Sequence, residues 1–102
     1  MSLPVIVRPL AERDLLEAQS WYERKNPGLG TRFRSSVGDV LQLLADSPLI
    51  FPAVLREVRR AAVQHFPYVL YYLVRRDRIL VIGCFHARRD PRIALRRIDS
   101  ES

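Results

Sequence analysis

The feature that most constrains this chain is a pair of apolar runs separated by four charged residues. Tyr68–Val74 and Ile79–Phe85 are rich in β-branched and aromatic residues, and the segment 75–78 between them reads Arg-Arg-Asp-Arg. This pattern predicts a β-hairpin. A third run, Val58–His65, enters the hairpin through a Phe-Pro pair. Three consecutive antiparallel strands are therefore expected.

Both faces of this hairpin are apolar. Alternation about a tight turn at Arg76 and Asp77 places one set of side chains together: Tyr68, Leu70, Tyr72, Val74, Ile79, Val81 and Phe85. The opposite face then takes Val69, Tyr71, Leu73, Leu80, Ile82, Cys84 and His86. A longer turn with a shifted register is the alternative, since Arg-Asp is not a favoured two-residue turn. Each face needs cover.

The segment before the strands has the periodicity of two helices. Leu3–Val7 predicts a short strand, and a helical stripe from residue 10 follows it: Ala11, Leu15, Ala18 and Tyr22. After an Asn-Pro-Gly turn, the second helix runs from Leu29 to the Ser47-Pro48 stop, with a clear apolar stripe: Leu29, Phe33, Val37, Val40, Leu41 and Leu44. Gly38 interrupts this helix, so we expect close packing against the first helix there. The stretch 49–56 is predicted to be an irregular connection that folds back over the core.

These elements predict an α+β fold within a single domain, 1–102. The expected architecture is an N-terminal strand and an antiparallel helical hairpin packed on a mainly antiparallel sheet of about four strands. One helical hairpin covers only one sheet face. The other face is either left open for a partner protein or covered by the 49–55 loop and the C-terminal tail. Both interpretations stay open.

Composition restricts the environment and the partners. The net charge is +6, and Lys25 is the single lysine among seventeen basic residues, which favours bidentate arginine contacts with an anionic partner. Cys84 is the only cysteine, so no disulfide or thiolate metal cluster is expected, and its apolar strand predicts a buried, inert thiol. No apolar run is long enough for a membrane span. We therefore predict a cytoplasmic protein without metal or cofactor.

The last strand runs directly into a basic motif, His-Ala-Arg-Arg-Asp-Pro at 86–91. Asp90 is expected to cap one or two helical turns over 92–99, with Pro91 at the first position. Arg88 or Arg89 could instead pair with Asp90, and His86 could be a hydrogen-bonded residue at the strand end. Residues 100–102 are expected to fray.

Residues 58–91 resemble the RelE/ParE superfamily of toxins from bacterial toxin–antitoxin modules, often called plasmid stabilisation proteins. The specific part of the resemblance is Phe-Pro-Tyr at 66–68 and the motif at 86–91, which are most similar to the ParE-like branch. The resemblance implies a cognate antitoxin that wraps and neutralises the toxin and carries operator DNA binding for the pair. RelE-like members cleave mRNA on the ribosome, whereas ParE-like members poison DNA gyrase.

The leading hypothesis is a ParE-like toxin that inhibits DNA gyrase by binding. Its expected target-binding residues are Arg59, Arg60, His86, Arg88, Arg89 and Arg92. A RelE-like endoribonuclease is the alternative, with a metal-independent catalytic set of His86, Arg88 and Arg60 and with Glu57 as a conceivable base. RelE-like enzymes carry a further tyrosine or histidine just after the last strand. Residues 92–97 contain neither an aromatic residue nor a group suited to proton transfer, and this departure from the RelE-like pattern favours binding over catalysis. A further alternative is an inactive nucleic-acid- or protein-binding domain of the same fold.

Overall fold

A computed structural model describes residues 2–99 and shows the predicted α+β architecture. The elements follow in the order β1 (Val5–Val7), α1 (Pro9–Lys25), α2 (Leu29–Asp46), β2 (Ala53–Leu55), β3 (Val58–Ala62), β4 (Tyr68–Val74), β5 (Ile79–His86) and a C-terminal 3-10 helix (Pro91–Arg97). The sheet order is β1-β5-β4-β3-β2. β1 is parallel to β5, and the other pairs are antiparallel.

The sheet has five strands, one more than expected, because part of the predicted irregular connection pairs with β3. The register of β2 is irregular between Ala53 and Leu55. A strand this short shows no alternation of apolar and polar residues, so the sequence did not predict it. Side chains from the central strands hold the loop before it. Tyr72 Oη donates to Pro48 O (3.1 Å), and Arg59 Nη1 donates to Phe51 O. Only part of this loop packs on the core: Phe51 does, while residues 49 and 50 are exposed.

The two helices form the expected antiparallel hairpin, and the predicted stripe of α1 is buried in full. Gly28 has a φ of 92° in the turn, and Glu23 accepts hydrogen bonds from the backbone N–H groups of Gly28 (2.9 Å) and Gly30 (3.0 Å). The helices approach closely at Gly30, where a Cβ atom would lie 2.7 Å from Gln19 O. The prediction of close packing at Gly38 was wrong, since that exposed residue has no neighbour within 4 Å of an added Cβ. No helix within residues 2–99 is long and apolar enough to cross a bilayer.

The core has two parts, one on each face of the sheet. On the helix face, α1 and α2 pack against β-strand side chains that include Leu70, Tyr72, Ile79, Val81 and Cys84. On the tail face, the C-terminal segment packs against a second set that includes Val58, Val69, Tyr71, Leu73, Leu80, Ile82 and Phe85. The turn between β4 and β5 is the tight one, because Arg75 N–H donates to Arg78 O (2.8 Å) and Val74 pairs with Ile79.

A bulge in β5 reverses the expected alternation at its end. Tyr71 pairs with Gly83 but Tyr72 pairs with Val81, so Ile82 is an extra residue. The predicted faces of the last three residues were therefore wrong. The residues concerned are Cys84 and His86, which lie on the helix face, and Phe85, which lies on the tail face.

The tail face is covered by the chain's own C-terminal segment. Ala94 and Ile98 in this segment are 0% and 6% exposed. Arg97 forms an ion pair with Asp14 (3.0 Å) and donates to Ile82 O (3.0 Å), while Arg8 donates to the carbonyl of Ile98 (2.9 Å). The interpretation that left this face open for a partner protein was wrong, and cover by the tail was right. Residues 100–102, which were expected to fray, lie outside the described part of the chain.

Candidate target-binding site at the end of the sheet

Three predicted site residues lie around the end of β5, but on different faces of the sheet. Arg60 pairs with Tyr71 on the tail face, and His86 pairs with Tyr68 on the helix face. Arg60 Nη2 donates to Ala87 O (3.1 Å), which fixes its guanidinium group beside the residues that follow β5. His86 Nδ1 accepts from the backbone N–H of Arg88 (3.1 Å), so a neutral ring carries its proton on Nε2. The Arg88 residue is exposed. Together with Arg89, these residues are called the sheet-end site below.

Arg89 and Arg92 continue the cationic surface in different ways. The Arg89 guanidinium lies 5.6 Å from the centroid of the Phe85 ring, within cation–π range. Arg92 donates from Nε to Asp90 Oδ2 (2.9 Å), and its hydrogen bonds lower the pKa of the Asp90 carboxyl to about 2. Asp90 therefore pairs with Arg92, and not with Arg88 or Arg89 as one sequence interpretation allowed. It also caps the 3-10 helix as predicted, since it accepts from Arg92 N–H (2.9 Å).

Two of the residues considered from the sequence lie elsewhere. Arg59 precedes Arg60, so it faces the opposite side of the sheet, where it holds the loop at Phe51. Glu57 contacts Arg75 (3.4 Å), at the end of the sheet where the hairpin turns. The seven residues of β4 separate that end from His86, a distance of about 20 Å. Glu57 is therefore not placed to act with His86 as an acid–base pair.

A cleft between α1 and the sheet-end site was not anticipated from the sequence. Its volume is about 890 Å³, and its lining includes Leu16, Trp21, Tyr68, His86 and Arg89. Trp21 and Leu16 are 47% and 52% exposed. The sequence did contain a signal for this cleft. Leu16 and Trp21 are large apolar residues that fall outside the apolar stripe of α1, so the core does not bury them. The cleft therefore combines exposed apolar surface with cationic groups.

Cys84 lies behind this cleft in the helix-face core and is buried as predicted. Burial raises the pKa of its thiol to about 12, and the nearby Asp14 carboxylate adds to the effect. A thiol with so high a pKa stays protonated at neutral pH and is a poor nucleophile.

Residues 5–91 match the family profile described as the ParE toxin of type II toxin-antitoxin systems, parDE. The chain belongs to the ParE toxin family. This finding confirms the ParE-like resemblance seen in the sequence motifs. No curated protein matches the chain significantly by sequence.

Two solved structures are similar to this family member in fold. The chromosomal ParDE toxin–antitoxin system from P. aeruginosa superimposes with a TM-score of 0.74 at 13% identity, covering 83% of this chain and 96% of that chain. A mutant of the E. coli toxin RelE in the free state gives a TM-score of 0.68 at 21% identity, covering 96% and 99% of the two chains. At these identities the likeness establishes the shared fold.

Proposed function

We propose that this ParE-family chain is the toxin of a type II toxin–antitoxin module and that it inhibits DNA gyrase by binding, without catalysing a reaction. The carrying observation is that His86 lines one cleft with Arg89 and has no acid–base partner. Among residues 2–99, no carboxylate hydrogen-bonds to His86, and Glu57 lies at the other end of the sheet. The nearby Asp90 carboxyl, with a pKa of about 2, cannot supply a proton at neutral pH.

The chemistry of the surface supports a protein target. Arginine and tryptophan are enriched among the residues that dominate protein–protein binding energies. Here the exposed Trp21 and the cationic Arg89 line one cleft beside Arg88. A target segment that carries both acidic and apolar side chains would match this surface.

We also propose that a cognate antitoxin neutralises the toxin and carries the operator DNA contact of the pair. The tail face is already covered, so this partner needs another apolar surface. Leu16 and Trp21 provide one beside His86. An antitoxin segment seated in the cleft would cover the sheet-end site and block access to the target.

Endoribonuclease activity is the second candidate, and one observation favours it. Arg89 and His86 line one cleft, so a guanidinium group could bind a phosphate next to an imidazole. Two purified assays separate the candidates. The gyrase proposal expects lost DNA supercoiling by gyrase and intact mRNA in a ribosome-coupled cleavage assay. The opposite pair of results would establish the ribonuclease, and inactivity in both, with unimpaired growth at a confirmed soluble level, would identify an inactive domain.

Replacing Arg88 and Arg89 with alanine tests the site directly. The double variant should abolish growth inhibition and gyrase inhibition while the thermal unfolding and antitoxin binding stay near those of the parent protein. The matched control is Arg32→Ala with Arg76→Ala, which removes the same charge from exposed positions that line neither the cleft nor the cavity around Arg92. Equal loss of toxicity in both variants would show that net charge, and not this site, is responsible.

A further inference from the structure

A second cavity lies around the start of the 3-10 helix. Its volume is about 470 Å³, and it is lined by Arg89, Asp90, Arg92, Ile93 and Arg96. These residues are called the arginine pocket below. The lining of this one cavity therefore contains three arginines and a single carboxylate, that of Asp90.

The carboxylate orients one of these groups and leaves the pocket cationic. Asp90 holds Arg92 through its Nε and Nη2 atoms, and no described residue accepts from Arg92 Nη1. The Arg92 side chain is still 77% exposed. Arg96 is exposed one turn further along the 3-10 helix, and the Arg89 guanidinium is positioned over the Phe85 ring. Two of these three groups therefore have defined positions before any ligand binds.

We propose that the arginine pocket binds the phosphodiester backbone of duplex DNA without reading the bases. Guanidinium groups match phosphate oxygens bidentately. Contacts of this kind supply most of the affinity in sequence-independent DNA binding. The toxin would then contact DNA directly, in addition to any operator contact made through an antitoxin. The inference does not depend on gyrase being the target.

The surroundings of the pocket favour DNA over a protein partner. Protein interfaces bury an apolar centre with aromatic anchors, whereas DNA interfaces are polar and strongly positive. The large apolar side chains that are exposed among residues 2–99 all lie elsewhere in the chain: Ile6, Leu16, Trp21, Leu43, Leu49, Ile50 and Val54. Ile93, the apolar residue of the pocket, is half-buried against the tail-face core.

The same surroundings favour a duplex over a single strand. Proteins that bind single strands without sequence preference stack bases on exposed aromatic rings. Trp21 is the exposed large aromatic side chain among the described residues, and it lines the other cleft. The arginine pocket therefore offers charge without a stacking surface.

The test is fluorescence anisotropy of a labelled duplex of about 20 base pairs with the full chain, between about 50 and 200 mM salt. Three phosphate contacts predict a slope of log affinity against log salt near −2.7, about −0.9 per contact. Replacing Arg92 and Arg96 with glutamine should make the slope shallower by about 2. The parent protein should therefore lose about tenfold more affinity than this variant between about 50 and 200 mM salt.

The control variant is Arg32→Gln with Arg76→Gln, which changes the net charge equally and should leave the slope unchanged. Circular dichroism of each variant establishes that the fold is retained. Because the loss of Arg92 frees Asp90, the single variant Arg96→Gln provides an independent measurement with an expected change of about 1 in slope. Equal effects of both double variants, a slope unaffected by Arg96→Gln, or tighter binding to single-stranded RNA or to polyglutamate than to the duplex would each overturn the proposal.

Discussion

The two faces of the sheet reach similar burial by different means. The helix face is covered by thirty-five residues of α1 and α2, whose apolar stripes supply large side chains such as Phe33 and Leu44. The tail face is covered by one seven-residue 3-10 helix, in which Ala94 is the fully buried residue. A short cover suffices there because polar tethers hold it, chiefly Arg97 to Asp14 and Arg8 to the Ile98 carbonyl.

The same division separates the two cavities at the end of β5. The cleft with Trp21 and His86 lies on the helix face, beside α1. The arginine pocket lies at the beginning of the tail. Arg89 lines both of them. One sheet therefore presents a mixed apolar and cationic surface on one side and, on the other, a surface with three arginines and a single carboxylate, which suits partners of different chemistry.

The largest expected effect is on the helix face. Phe33 is fully buried, and its ring packs against those of Tyr22, Phe66 and Tyr68 with centroids 5.2 to 5.5 Å apart. Phe33→Ala should lower the free energy of unfolding by about 3–5 kcal/mol, because it removes apolar contacts and leaves a cavity. Chemical denaturation measures this loss. Leu43→Ala, at an exposed position on the same helix, should cost less than about 1 kcal/mol, and comparable losses would show that the hairpin does not stabilise this face as described.

A smaller effect is expected where the tail is tethered. Asp14→Asn keeps an acceptor for the backbone N–H of Cys84 but removes the charge that pairs with Arg97. Both ion-pair side chains are mostly buried, so the loss should be about 2 kcal/mol. Amide hydrogen exchange should accelerate over 93–98 and remain slow in α2, with Asp39→Asn as the control. Uniform acceleration throughout the chain would show that the two covers unfold together.

The smallest effect is expected at the cap of the tail. In the native protein, hydrogen bonds from Arg92 lower the pKa of Asp90 from 3.8 to about 2. A lowered pKa means that the cap contributes stability above about pH 4 and loses it as the pH falls towards 2. NMR titration of the Asp90 carboxyl carbon should show this low midpoint, and Arg92→Gln should move it upward while Arg88→Gln leaves it unchanged. An unchanged midpoint in Arg92→Gln would show that a group other than Arg92 lowers the pKa of Asp90.

Much of the fold was predictable because its signals are local. Side-chain periodicity predicted the α1 stripe and the tight turn between β4 and β5. The bounds of α2 follow from the proline, glycine and asparagine residues that end regular structure. Asp90 as a cap followed from the same local chemistry. The position of Arg60 near the residues that follow β5 was also foreseeable in outline, since β3 and β5 both pair with β4.

The sequence by itself therefore determined the elements other than β2, their order and the cationic character of one sheet end. Only the tertiary structure decided which face each side chain at that end occupies, because the extra residue Ile82 shifts the pairing and turns His86 towards α1. It also decided that the tail covers the second face, through contacts such as Arg97 with Asp14 between residues 83 positions apart. Pairing register and long-range tethers depend on the positions of distant segments, and local periodicity does not encode those positions.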